Sequence, residues 1–395
     1  MMAATLPQSA ARRVAGTTRA SEAGRETAWR LAGSALLGLA LTLFIAGVAW
    51  DIQWHTNVGR DRVLTLPHQL LLSGIALAGI VSLALIVRES YRIWRGLAAP
   101  ARDNVTLLGV FHAPIGLAVA GFGALLGAIA FPLDDYWHTL YGIDVTLWAP
   151  FHVMIISSMI MAGLGSLYVQ AAALNSIRSS RTRLPAQLGL AALLALTLAT
   201  VMLALPQANV AEGLVQLGGY DIVLYPALVA FALPLGLVSA LLITQQPGMA
   251  TIVALTFLAL RQLLFWFVPW AMNLVVAAEG LSYRAGATDL VITPYAYPAT
   301  ILLAALLLDG AYALAQRRGD GRRVALGAGV VSAILPALLY RPWVATMTSW
   351  YYPTLDPGAA LLHTLPLIVV SAALGVGAAV VLSRGLSART AATLV

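Results

Sequence analysis

Ten apolar runs of about 20 residues follow one another along this chain, near 31–50, 66–87, 108–131, 149–173, 186–205, 222–244, 249–277, 294–315, 324–340 and 360–383. A helix of that length crosses a hydrocarbon core about 30 Å thick. With 60% hydrophobic and only 10% charged residues, and a mean hydropathy of +0.85, the chain has more apolar surface than water tolerates. Backbone polar groups in lipid must be satisfied within each segment, so the expected fold is an all-α integral membrane bundle of about ten transmembrane helices.

The net charge of +7 comes from arginine alone, because the chain contains no lysine. Its distribution argues against a nucleic-acid surface and for membrane topology. Arg12, Arg13, Arg19, Arg25 and Arg30 precede the first run; Arg88, Arg92, Arg95 and Arg102 follow the second; Arg178, Arg181 and Arg183 follow the fourth. Arg317, Arg318, Arg322 and Arg323 follow the eighth, and Arg384 and Arg389 close the chain. This alternation is the positive-inside pattern and predicts cytoplasmic N- and C-termini. Eight tryptophans, at 50, 54, 137, 148, 266, 270, 343 and 350, then fall on the outer side, as an interfacial aromatic belt would. The expected organisation is a disordered cytoplasmic tail at 1–30, a region at 31–175 described next, and a six-helix membrane region at 176–395. With no cysteine there is no disulfide, thiolate site or iron–sulfur cluster.

Two stretches in the 31–175 region repeat each other. DIQWHTNVGRDRVLTLPH (51–68) and DDYWHTLYGIDVTLWAPFH (134–152) align Asp51, Trp54, His55, Asp61 and His68 with Asp134, Trp137, His138, Asp144 and His152. The offset is 83 residues for the first four pairs and 84 for the last. Each stretch opens as one apolar run ends and closes as the next begins, so the first four helices read as two helix hairpins in tandem. Asp51 and His55 stand four residues apart, on one face of a helix, and His68 returns in the first turn of the next helix. Asp134, His138 and His152 do the same. One carboxylate and two imidazoles with open positions suit a catalytic divalent metal more than a closed structural one. A capping role fits poorly, since a carboxylate near a helix C-terminus opposes the macrodipole.

The string Asp51-x2-Trp54-His55-x4-Arg60-Asp61-x3-Thr65-x2-His68 resembles the C subunit of the copper-dependent membrane monooxygenases, the particulate methane and ammonia monooxygenases. That subunit carries an Asp-x3-His-x12-His copper site followed by one of Asn-x3-His-x13-His spacing. Both spacings recur here, with Asp134 in place of the asparagine and Ile143 where the first copy has Arg60. The resemblance covers about residues 31–175. It implies copper, with zinc or iron as other divalent candidates, at Asp51, His55 and His68 and at Asp134, His138 and His152. Arg60, Asp61 and Asp144 would orient these ligands. It further implies dioxygen and a small apolar substrate, other membrane subunits and a soluble-domain subunit, and a bacterial or archaeal plasma membrane with the metal sites facing the extracytoplasmic side. Two other classes fit the same residues: a metal-ion transporter or metal-handling protein, and a b-type haem protein.

Four further residues stand out. His112 is expected to begin the third helix as a packing or capping residue. His363, at the start of the tenth, is a lesser candidate for an outer cavity. Asp309 and Arg261 sit at similar depths on the eighth and seventh runs, where a buried ion pair is expected. Glu279, Tyr283, Arg284 and Asp289 share one outer loop and read as solvated. No phosphate-cradling glycine loop or nucleophile constellation is present.

Overall fold

The computed structural model describes residues 8–59, 64–142, 149–204, 213–287, 299–339 and 354–391, with side chains described from Glu22 to Leu386 within those ranges. The chain is an all-α integral membrane protein. Its helices are α1 (Gln8–Asn57), α2 (Leu66–Trp94), α3 (Ile115–Tyr141), α4 (Pro150–Ser176), α5 (Ser180–Ala204), α6 (Leu224–Thr244), α7 (Met249–Ala278), α8 (Ile301–Gln316), α9 (Gly321–Leu338) and α10 (Pro357–Ala391). Nine of these are long and apolar enough to cross a membrane; α8, at 16 residues, is shorter.

Two antiparallel hairpins interrupt the helical pattern. β1 (Asn104–Leu107) pairs with β2 (Phe111–Pro114) ahead of α3, and β3 (Leu214–Leu217) pairs with β4 (Tyr220–Val223) ahead of α6. Both turn through two residues with positive φ, Leu108 and Gly109 in one and Gly218 and Gly219 in the other, the conformation whose twist matches paired strands. The third span therefore begins at Ile115 and not near residue 108. His112 lies in β2, where Ser90 Oγ accepts from its backbone N–H at 2.8 Å and donates to its carbonyl at 3.0 Å. His363 serves the other hairpin: its Nδ1 accepts from the Asp221 N–H at 3.3 Å and its ring meets Tyr220 edge-on.

Residues 8–30, expected as a disordered tail, are the opening turns of α1. Alanine, arginine and glutamate at this end are good helix formers, and ion pairs anchor the segment from Glu26 on. Glu26 accepts from Arg88 at 3.0 Å and Arg92 at 2.7 Å, and Arg30 grips Asp103 with two hydrogen bonds of 2.7 and 3.1 Å. The tryptophan belt is also only partly as expected. Trp266 and Trp270 are exposed at 70% and 61%, but Trp54, at 2%, is core, because α1 is enclosed by α2, α4, α5 and α7. Trp148, Trp343 and Trp350 lie outside the described residues.

Asp309 and Arg261 do not form the expected pair. The Asp309 carboxylate accepts from the backbone N–H groups of Gly248 and Thr251 at 2.8 and 2.7 Å and from Thr251 Oγ1 at 2.6 Å. Gly248 is the N-cap of α7 and has no side chain to cap with, so α8 supplies the carboxylate from outside. The Arg261 guanidinium carbon instead lies 4.5 Å from the centre of the Phe265 ring.

The tandem repeat extends into the packing. Gly74 of α2 lies so close to α1 that an added Cβ would stand 2.6 Å from Ala40 O and 2.8 Å from Phe44 N. In the second hairpin the corresponding residue is Ser158, and it meets Gly123 and Gly127, the equivalents of Ala40 and Phe44. A Cβ on either glycine would approach Ser158 to 2.5 Å. The small residue lies on the second helix of the first hairpin and on the first helix of the second. Both solutions bring backbones together without a hydrophobic driving force, as helix pairing in lipid requires.

Candidate metal centre

Each triad is assembled by one helix end and one helix start. α1 carries Asp51 and His55 on successive turns and ends at Asn57, after which Gly59 takes φ 69°. Thr65 then caps α2, its hydroxyl accepting from the His68 N–H at 3.4 Å, with Pro67 in the first turn. Proline suits this turn because its missing N–H would be unsatisfied anyway. His68 thereby becomes the third residue of α2. In the second hairpin α3 ends against Gly142 (φ 85°), and α4 opens with Pro150, again making the histidine, His152, the third helical residue.

The side chains converge. In the first triad Asp51 Oδ1 lies 3.5 Å from His55 Nε2 and 3.1 Å from His68 Nε2. In the second, Asp134 Oδ2 lies 3.5 Å from His138 Nε2 and 3.3 Å from His152 Nε2. The ligand atoms of each triad all lie within 4.8 Å of one another. Metal–ligand bonds of about 2.0–2.2 Å in a tetrahedral shell place neighbouring donors about 3.3 Å apart, which these separations match. The side chains are only 10–22% exposed, so each cluster is sheltered yet reachable.

Two details bear on how a cation would fit these clusters. Asp51 Oδ1 is buried between two imidazole nitrogens, His55 Nε2 at 3.5 Å and His68 Nε2 at 3.1 Å. A buried carboxylate is costly unless it is paired, either by protonated imidazoles or by a cation held among the three side chains. In the second triad His138 Nδ1 lies 3.2 Å from the Gly142 carbonyl. A proton held there leaves the Nε2 lone pair facing Asp134, the tautomer a metal-bound histidine needs.

The two triads are neighbours. The His68 ring packs edge-on against Phe131, one turn before Asp134, with centres 5.6 Å apart. Below Phe131 an apolar groove of about 650 Å³ runs between α2 and α3, lined by Leu72, Ile75, Leu83, Phe122 and Leu125 among others. A smaller cleft of about 320 Å³, lined by Trp54, Thr65, Gln69 and Glu279, adjoins the first triad from the side of α7.

All six ligand residues expected from the sequence are thus brought together, three and three. Arg60, Asp61 and Asp144, expected to orient them, lie outside the described residues, as does Asp289. Arg284 is exposed, as read, and also ties its loop to the end of α1: its backbone N–H donates to Asn57 O at 2.8 Å and its Nη2 to Gly59 O at 3.0 Å. Tyr283 donates to Asn273 at 2.6 Å. No local signal marks Arg284, which stands 225 residues from Gly59. No family model, curated protein or solved structure matches this chain.

Proposed function

We propose that this chain is the membrane subunit of a copper-dependent monooxygenase-type assembly, holding metal at Asp51, His55 and His68 and at Asp134, His138 and His152. The observation that carries this reading is the convergence of both triads on a donor spacing suited to a metal. Copper bound there would activate dioxygen for oxidation of a small apolar substrate. Three protein ligands leave positions open, in contrast to a closed structural site. The His138–Gly142 contact fixes one imidazole, and Thr65, through the His68 N–H, fixes the helix turn that presents another. Phe131 and the groove between α2 and α3 offer an apolar substrate a route from the bilayer to the His68 side of the first triad. We further assign the centre to the extracytoplasmic face of a bacterial or archaeal plasma membrane, on the arginine distribution. Electron supply and a soluble-domain subunit would come from other chains.

A haem is disfavoured, because the carboxylate that both imidazoles face fills the space a macrocycle would need. Transport is less well supported, since the triads sit at helix ends instead of the membrane midplane, where transporter sites lie. The deciding experiment is elemental analysis of detergent-purified protein with paramagnetic resonance for Cu(II). About two copper ions per chain, lost on changing His55 and His138 to alanine, supports the reading. Absence of stoichiometric metal from protein with intact helicity sinks it. Metal flux in proteoliposomes without oxygen consumption would favour transport.

A further inference from the structure

The opposite, arginine-rich end of the bundle carries a polar cavity that the metal centre does not use. It occupies about 440 Å³ where α6 and α8 end, α9 begins and α10 passes, and its polar lining includes Gln245, Tyr312, Gln316, Arg322 and Arg384. Among the described residues no carboxylate lines it. Neither lining arginine forms an ion pair with a described residue; the nearby Asp320 instead approaches Arg323, at 3.9 Å.

Three kinds of donor face this space. The guanidinium groups of Arg322 and Arg384 supply charge. The start of α9 supplies backbone N–H groups: Asp320 is its N-cap residue but makes no side-chain cap, and the first helical bond is from Val324 to Asp320 O. The N–H groups of Gly321, Arg322 and Arg323 therefore have no backbone acceptor among the described residues, at the end of a helix where the dipole favours an anion. The third is Tyr312. It is only 5% exposed, it lines the cavity, and its hydroxyl has no hydrogen-bond partner among the described residues. Its ring lies against the helix start, since a Cβ on Gly321 would stand 3.3 Å from Tyr312 Cε2. The ring is buried while the hydroxyl, which is not among the fully buried unpaired atoms, opens onto the cavity as a donor.

We propose that this cavity binds a phosphate group, held by Arg322, Arg384, the first-turn amides of α9 and the Tyr312 hydroxyl. Phosphate oxygens are acceptors only and carry charge, which matches a wall that offers donors and no carboxylate. Leu241, Leu242 and Val380 complete the lining, so a phosphate carried on an acyl-chain lipid and a free phosphate both fit the chemistry.

The test titrates the full-length protein in detergent, at constant ionic strength, with dihexanoyl phosphatidylglycerol, with inorganic phosphate and with phosphate-free dihexanoylglycerol, reading the thermal unfolding midpoint. A midpoint raised by phosphatidylglycerol alone identifies a lipid headgroup; one raised by inorganic phosphate as well identifies phosphate in general, and either supports the site. Affinity should fall at least about tenfold in the double variant Arg322→Gln/Arg384→Gln and about threefold in Tyr312→Phe, which keeps the ring packing. It should not change in Arg178→Gln/Arg181→Gln, from another arginine cluster. The proposal is overturned if neither phosphate probe acts, if dihexanoylglycerol acts equally, if Tyr312→Phe binds as wild type, or if the control pair weakens binding as much as the lining pair.

Discussion

His68 presents Nε2 to Asp51 Oδ1 at 3.1 Å across two different helices, with His55 facing the same oxygen from one turn away. Because each triad has its own carboxylate, the two should lose metal separately. His68→Ala should lower the metal content from about two ions per chain to about one, and His68→Ala/His152→Ala to background. Mass-spectrometric metal analysis checks this; loss of both ions from the single variant contradicts independent sites.

Chelation should leave the fold largely in place while lowering its stability. An ion present at about 100 times its Kd contributes about 2.7 kcal/mol, so the unfolding midpoint should fall on dialysis against chelator and recover on copper addition. Far-ultraviolet circular dichroism should change little, because the helices are held by packing at seams such as Gly74 against α1.

Gly59 and Arg284 test the support of the first triad. Gly59 takes φ 69°, and a Cβ there would overlap the Arg284 guanidinium. Gly59→Ala should therefore weaken metal binding at the first triad by about 10–100-fold, as loss of outer support does, while the second triad keeps its affinity. Competition titration against a copper chelator, in a His138→Ala background, isolates the first triad.

Asp309→Ala removes the acceptor for three donors of α7, which should cost about 1–2 kcal/mol, with Asp309→Asn intermediate. Metal content should not change in either variant. Thermal unfolding in detergent measures the first effect and metal analysis the second.

Gly123→Val sets a branched side chain where a Cβ alone would come within 2.5 Å of Ser158 O, a backbone atom that cannot swing aside. Overpacking of this kind costs about 1–3 kcal/mol. Separation of α3 from α4 should empty the second triad before the first.

The sequence displays the triads clearly for a physical reason: every ligand is fixed by short-range geometry. A four-residue spacing puts Asp51 and His55 on one face whatever the rest of the chain does, and a proline-led helix start fixes the placement of His68. Neither hairpin was read from the sequence: Leu214–Leu217 and Tyr220–Val223 flank a Gly-Gly pair, but a hydropathy window averages over two-residue periodicity and merges strand with span. Asp309 was not legible. Its partner is a helix start whose N-cap, Gly248, has no side chain, and only the tertiary arrangement shows that a carboxylate is wanted there. Arg284 is hidden for the same reason, acting on α1 across the whole first half of the chain.

The exchange of small residues between the two seams reaches beyond packing. At one level the small residue is Gly74 on α2 in the first hairpin but Gly123 and Gly127 on α3 in the second, while Gly47 on α1 and Gly165 on α4 close other levels of the same seams. The way the helices interlock has thus diverged between the hairpins while the three side chains at each tip have not, so a change in one seam would disturb one triad and spare its twin.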